Sequence, residues 1–262
     1  MTRTTLLLFV LAGGAVSARA QQPFVTDDAE VTPSRKWHFE YFNEYAALSR
    51  NASPDLRQDT NNFVIQYGLF DGLEINVDFP IIAIDRASRS SLPSAFGLGD
   101  LDFAIKYKLV AENPAGVRPA FTLIGAVELP TGNKSTQLGS GFTDYVFNSV
   151  IQKTFLETTV VHVNAGIQLS GNTLTGAIGI RTPGRILTGG ISVAHQVSRT
   201  ILLGIDLNGA QIRTAQSTDR QLQLTVGGNY QVRENASIDF ALLAGWYNSP
   251  RVGLLLGISF SP

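Results

Sequence analysis

Residues 63–81 read FVIQYGLFDGLEINVDFPI, and this stretch decides the fold. On both sides of Asp71-Gly72, apolar residues fill every second position, and the positions between them include Gln, Glu, Asn and Asp. Successive side chains of a β-strand point to opposite faces, so this alternation predicts two strands with one apolar and one polar face. An Asp-Gly step between two such segments predicts a hairpin.

The same alternation recurs along the chain and predicts an all-β fold. We count twelve strands of about ten residues between Lys36 and Phe260, the length that a tilted strand needs to cross a bilayer. Polar segments predict loops at residues 49–61, 83–99, 130–141 and 210–219. The pattern indicates a transmembrane antiparallel up-and-down β-barrel with an apolar face toward lipid and a polar face toward a wet lumen.

Composition favours this reading over a secreted soluble β-sandwich or lipocalin-like barrel. Charged residues make up 16% of the chain, below the roughly 25% typical of soluble domains. Beyond the N-terminal segment, no apolar run approaches the roughly 18 residues of a membrane helix. A chain that crosses lipid with strands must close them into a barrel, because lipid offers no hydrogen-bond partner to an open strand edge.

The sequence divides into three predicted regions. Arg3, the apolar run LLLFVLAGGAV at residues 6–16 and Ala18-Arg19-Ala20 are typical of a secretory signal peptide covering residues 1–20. Residues 21–35 are polar and without a period, and they predict a periplasmic lead-in or a plug in the lumen. Residues 36–262 then form the barrel.

The inward face predicts where function lies. Acids outnumber bases there, which indicates a solute path with a preference for neutral or cationic solutes; the alternative is a set of paired charges that brace a narrow interior. The predicted lumen residues are Glu40, Glu74, Asp78, Asp100, Asp102, Lys106, Lys108, Glu128, Asp144, Asp206, Asp239 and Arg251. The candidate plug is Thr26, Asp27 and Asp28.

Enzymatic and metal chemistry are weakly indicated. The chain has no cysteine, and His38, His162 and His195 form no i, i+4 pair, so we expect neither a metal site nor a cofactor. Outward polar residues could form a lipid hydrolase site from Ser149, His195 and Asn43, but their strands place them at unlike depths. The acidic excess does not favour nucleic acid.

Several stretches resemble the outer-membrane transporter family associated with the meta-pathway of phenol degradation. They are PFVTDD at 23–28, WHFE at 37–40, YGLFDGLE at 67–74, GLGDL at 97–101 with Lys106-Tyr107, and ELPTG at 128–132. The likeness runs from residue 23 to about residue 150, and the C-terminal half shares only the alternating style. It implies an outer-membrane barrel that takes up small, including aromatic, compounds, and it implies no catalytic residues.

The sequence therefore predicts a monomeric outer-membrane channel for passive uptake of small solutes, with outer-membrane lipid and the solute as its partners. A structural or adhesion barrel with a closed lumen is the alternative, and a lipid hydrolase is third.

Overall fold

The computed structural model describes residues 23–170, 173–175, 178–180, 184–214 and 218–262. The predicted signal peptide, residues 1–20, lies outside the described residues. Regular structure in the described ranges is β-strand, apart from one 3-10 turn at Arg50–Ala52. Within the same ranges, no helix is long and apolar enough to span a membrane.

Fifteen strands occur in the described ranges. They are β1 (Trp37–Ala47), β2 (Asp55–Phe70), β3 (Leu73–Arg86), β4 (Ala95–Leu98), β5 (Leu101–Val110), β6 (Ala120–Leu129), β7 (Asp144–Phe155), β8 (Thr159–Ser170), β9 (Thr173–Thr175), β10 (Ile178–Ile180), β11 (Gly184–Gln196), β12 (Ile201–Thr214), β13 (Thr218–Arg233), β14 (Ala236–Tyr247) and β15 (Val252–Phe260).

Twelve of these described strands close into an antiparallel barrel, as predicted. β1 pairs with β2 on one side and with the last strand, β15, on the other, and β2 pairs with β3 to complete the ring. The short β4 adds to the outer part of β3, while β9 and β10 pair with each other as a separate ribbon. Closure leaves every barrel strand with two neighbours, so no barrel edge stays unpaired.

The deciding hairpin forms as the sequence predicts. Asp71 and Gly72 connect β2 to β3, and Gly72 takes a φ of 84°, which glycine adopts without strain. Its apolar positions face outward: Leu69 on β2 is 46% exposed and Ile75 on β3 is 39% exposed. The apolar positions of β15 do the same, since Leu254 and Leu256 are 43% and 51% exposed. These side chains therefore cover the outside of the barrel and do not fill a dry protein centre.

Several strands extend beyond their predicted ends. Residues 55–61, 83–86, 210–214 and 218–219 were expected in loops but belong to β2, β3, β12 and β13. At these ends the apolar alternation stops while the backbone ladder continues. The barrel wall therefore rises past the apolar band, where both faces can be polar. Hydropathy marks the apolar band, not the full length of a strand.

The two ends of the barrel differ as predicted. Both termini of the barrel, at Trp37 and Phe260, lie at the end that carries the two-residue turn 71–72 and the turn 234–235. The connections 87–100 and 130–143 lie at the opposite end. Short turns on the periplasmic side and long loops outside are the habit of outer-membrane barrels, which orients the molecule.

Candidate functional site

The lead-in segment, residues 23–35, contacts inward-facing side chains of the barrel wall. Near its start, the Val25 amide donates to Asp206 Oδ2 of β12 over 3.2 Å, and the Thr26 hydroxyl donates to Asp206 Oδ1. The Ala29 amide donates to Gln152 Oε1 of β7 over 2.9 Å. The Ala29 carbonyl accepts from the Thr122 hydroxyl of β6 over 2.7 Å. The segment therefore crosses the lumen between β12 and β6–β7.

Ion pairs hold the middle of the lead-in segment. Lys106 Nζ of β5 lies 2.9 Å from Asp27 Oδ1 and 2.9 Å from Asp28 Oδ1, and its side chain is 4% exposed. Lys108, two residues further along β5, pairs with Glu30. Burial raises the pKa of Asp28 above its ordinary value, and the Lys106 ammonium opposes that rise. Both inward lysines of β5 are thus occupied by the lead-in.

The lead-in segment joins the wall where β1 begins. The Thr32 amide donates to Glu74 Oε2 of β3 over 2.7 Å, and the Arg35 amide donates to the Gly68 carbonyl of β2 over 2.7 Å. A Cβ at Gly68 would collide with the Pro33 carbonyl oxygen. An inward glycine is therefore required for the segment to lie against β2.

Two further inward glycines make room on the opposite wall. A Cβ at Gly190 of β11 would collide with the Thr26 hydroxyl, and a Cβ at Gly204 of β12 would lie 2.7 Å from Phe24 Cζ. Sequence reasoning did not assign these glycines a role. Both glycines stand at lumen-facing positions of their strands, next to polar residues, and this position could have been recognised in the sequence. The sequence alone does not say which segment approaches them.

Above the lead-in, four inward acids form a row across four strands. Asp78 of β3 is opposite Asp102 of β5, Asp102 is opposite Glu128 of β6, and Glu128 is opposite Asp144 of β7. Directly opposite residues in a sheet have Cβ atoms about 5 Å apart. The row begins four residues beyond Glu74 on β3, about 13 Å nearer the outer end. We call these four residues the acidic row.

An apolar cluster faces the lumen on another part of the wall. Phe42, Val64, Ala241, Leu243 and Leu255 are buried together, on β1, β2, β14 and β15. These inward positions break the alternation that the sequence analysis used, because they are apolar on the lumen side. The interior thus combines an acidic wall with an apolar one.

The remaining predicted lumen residues fall into separate environments. Glu40 bonds His38 Nε2 over 2.9 Å, and Asp239 Oδ2 accepts from the Ser259 hydroxyl over 2.7 Å. Asp100 precedes β5, and its two carboxylate oxygens accept from the amides of Gly132 and Ser140 in the connection 130–143. Arg251, a predicted lumen residue, lies in the turn before β15, where it is exposed and its Nε donates to the Leu48 carbonyl over 3.0 Å.

Sequence reasoning missed Arg86, which lies at the outer mouth. Its guanidinium is buried and donates to Asp55 Oδ1 over 2.6 Å, to the Pro93 carbonyl over 2.5 Å and to the Thr136 carbonyl over 3.0 Å. These bonds tie the connections 87–100 and 130–143 to the barrel wall. Residue 86 was expected within a loop, so its inward direction could not be deduced.

The outward residues considered for a hydrolase do not meet. The Ser149 hydroxyl of β7 donates to the Ala165 carbonyl, and His195 of β11 bonds the Thr159 hydroxyl. Through Ala165, Ser149 is level with Gly189, six residues or about 20 Å along β11 from His195. Asn43 belongs to β1, on a different wall. Within the described ranges, no group of acidic or histidine side chains is arranged to hold a metal ion.

Comparison with solved structures places the fold among bacterial outer-membrane barrels. An outer-membrane channel from Pseudomonas putida F1 is 17% identical with a TM-score of 0.67, over 90% of this chain and 98% of that one. The NanC porin is 7% identical with a TM-score of 0.58, over 85% and 98%. The KdgM porin, solved with disordered oligogalacturonate, is 10% identical with a TM-score of 0.56, over 86% and 99%.

No known family profile and no curated protein sequence matches the chain. The closed twelve-stranded sheet and its apolar exterior nevertheless define the class: the chain has the fold of a porin-like barrel of the bacterial outer membrane. Membership of the phenol-degradation transporter family stays a prediction.

We expect Lys106→Met to loosen the lead-in segment, because it leaves Asp27 and Asp28 without their ammonium partner. Breaking a buried ion pair in this way costs about 3–5 kcal/mol. The measurement is the rate at which a water-soluble maleimide labels a cysteine introduced by Ala29→Cys, since Ala29 is fully buried and the chain has no other cysteine. Labelling should accelerate at least about tenfold.

The matched control is Lys153→Met. Lys153 pairs with Glu112 at the periplasmic end and does not contact the lead-in, so labelling should stay at the parent rate. Equal labelling rates in the Lys106→Met and parent proteins would show that the ion pairs do not hold the segment.

Proposed function

We propose that the protein is an outer-membrane channel for passive uptake of small solutes, and that the lead-in segment is a plug that must shift for solute to pass. The observation that carries the proposal is the polar attachment of the segment to a hydrophilic wall. Each contact with Asp206, Gln152, Glu74 and Lys106 joins groups that water can also bind. We expect the protein to act as a monomer.

The attachment suits a plug that can move. A hydrogen bond between protein groups is worth only about 1 kcal/mol net, because water replaces it when it breaks. The buried apolar side chains of the segment are Pro23, Phe24 and Ala29, and Ala29 packs with Ala120 and Val150. Displacement exposes these three side chains but breaks no strand pairing, whereas removing a strand of the barrel would leave backbone groups unpaired in lipid.

The solute class follows from the two interior walls. The acidic row favours neutral or cationic solutes, and the apolar cluster around Phe42 and Leu255 suits a solute with a hydrophobic or aromatic part. These features argue against an anionic saccharide such as the oligogalacturonate held by the KdgM porin. They agree with uptake of small aromatic compounds, which the resemblance to the phenol-degradation transporter family implies.

A structural or adhesion barrel with a closed lumen is the second candidate. The lead-in segment obstructs the periplasmic half, and Arg86 ties two connections over the outer mouth, which favours closure at both ends. The two proposals differ in what happens when the segment is removed. An enzyme is not proposed, because Ser149 and His195 lie apart.

We expect deletion of residues 23–35 to raise single-channel conductance in planar bilayers severalfold, because it empties the periplasmic half of the lumen. The parent protein should show small or intermittent conductance. Lys106→Met is the companion variant. It keeps the lead-in segment but weakens its attachment to the wall, so the channel should open more often than in the parent protein. A folded deletion variant that passes no current would remove the channel proposal and leave the closed barrel.

We further expect Asp78→Asn with Asp102→Asn to lower cation preference, because it removes two adjacent carboxyl groups from the acidic row. The measurement is the reversal potential of the deletion variant in a KCl gradient, which should move toward zero. Asp85→Asn is the matched control: Asp85 lies on β3 as well but is exposed outward, so its loss should leave the potential unchanged. A shift of equal size in both variants would contradict a selective role of the row.

A further inference from the structure

Three arginines lie together on the lipid-facing side of the barrel at its outer end. Arg185 of β11 is directly opposite Arg213 of β12, and Arg220 of β13 is opposite Gln211, two residues from Arg213. All three side chains are exposed. Opposite and diagonal positions bring Cβ atoms to about 5–8 Å, so the three guanidinium groups can reach one ligand. We call them the arginine triad.

The directly opposite outward neighbours of Arg185 and Arg213 on the adjoining strands carry no charge. Along the ladder the outward neighbours are Leu169 beside Arg185 and Thr218 beside Arg213. Asp219, next to Arg220 in the chain, is opposite the buried Ile212 and thus has inward parity. The sequence between residues 158 and 205 contains no acid. Like charges on directly opposite residues destabilise a sheet, so an anion that bridges them would be stabilising.

An apolar groove lies directly below the triad on the same strands. It has a volume of about 420 Å³ and is lined on the outside by Leu187, Gly189, Ile191, Leu207, Gly209 and Leu222. Gly189 and Gly209 are opposite each other, so the floor of the groove lacks side chains. Its centre is four residues, or about 13 Å, from Arg185 and Arg213 toward the membrane centre.

The pairing of a cationic rim with an apolar groove specifies the chemistry of the occupant. Guanidinium groups bind phosphate through paired hydrogen bonds, and a groove with apolar walls and a floor free of side chains accommodates an acyl chain. The triad faces the outer leaflet, because the barrel termini lie at the opposite, periplasmic end. The lipid of that leaflet in bacterial outer membranes is a phosphorylated, multiply acylated glycolipid. We propose that the triad and groove bind the lipid A part of lipopolysaccharide.

The test measures lipid binding to the purified full-length protein in detergent by native mass spectrometry, with bisphosphorylated lipid A as the probe. R185Q/R213Q/R220Q should lower the affinity at least about tenfold, because three charge-assisted contacts are lost. The matched control is R57Q. Arg57 is an exposed outward arginine at the same end, but it is opposite Asp85, so its loss should leave the affinity unchanged.

A second variant tests the groove without touching the charges. Gly189→Leu should fill the groove and weaken lipid A binding, since a Cβ there meets only one atom, the Asn164 carbonyl oxygen at 3.6 Å. Gly125→Leu is its control, because Gly125 of β6 is also outward and open but lies away from the groove. Both variants should fold, so they keep the proposal testable if the triple variant does not.

The outcomes separate the occupant from its rivals. The proposal is supported if the protein binds bisphosphorylated lipid A with higher affinity than dephosphorylated lipid A and phosphatidylglycerol, and if the triad variant loses this preference. An affinity for phosphatidylglycerol equal to that for lipid A would overturn the choice of lipid A. Displacement of bound lipid A by inorganic phosphate alone would also overturn it. Unchanged binding in the triad variant would overturn the site. Channel conductance should not change in either variant, which keeps this test independent of the proposed transport.

Discussion

The backbone pairing of β1 with β15 is the contact on which the rest of the structure depends. It turns a twelve-stranded sheet into a ring, with Tyr41 opposite Ile258 and Tyr45 opposite Leu254 on the outside. A ring has no unpaired edge, so lipid can surround it without breaking hydrogen bonds. Closure also fixes which side chains share the interior, since alternate residues of every strand must point inward. The apolar exterior and the polar lumen are two consequences of one constraint.

The charged side chains inside the barrel need partners, and the lead-in segment supplies some of them. Inward lysines of β5 would lie in a lumen with acids on neighbouring strands, and the segment supplies Asp27, Asp28 and Glu30 to them. The acidic row lies beyond these lysines, and its members Asp78, Asp102, Glu128 and Asp144 are directly opposite one another on four neighbouring strands. The lumen therefore has a periplasmic half in which charges are paired with the lead-in and an outer half that is predominantly acidic along one wall. This division is the basis of the proposal that the protein is a channel with a plug and a preference for neutral or cationic solutes.

Much of the fold could be predicted from the sequence, because strands that face lipid on one side carry an apolar residue at every second position. Leu73, Ile75 and Val77 are an example. The strand ends could not be, since β2 and β12 continue as hydrogen-bonded ladders where hydropathy no longer alternates. The inward parity of Glu74, Lys106 and Asp206 was readable, but their partners were not. Pairing across the lumen depends on the path of residues 23–35, which carries no periodic signal. The arginine triad also escaped prediction, because Arg185, Arg213 and Arg220 become neighbours only through the register of three strands.

The central claim is that the alternate residues of the barrel strands face lipid and lumen. It is tested most directly by spin labels placed one at a time along β15, from Val252 to Phe260, in protein reconstituted into lipid bilayers. At even-numbered positions, collisions with oxygen, which concentrates in lipid, should exceed collisions with a water-soluble nickel chelate; at odd-numbered positions they should not. A smooth profile without a period of two, or one with the even positions shielded from oxygen, would contradict the account.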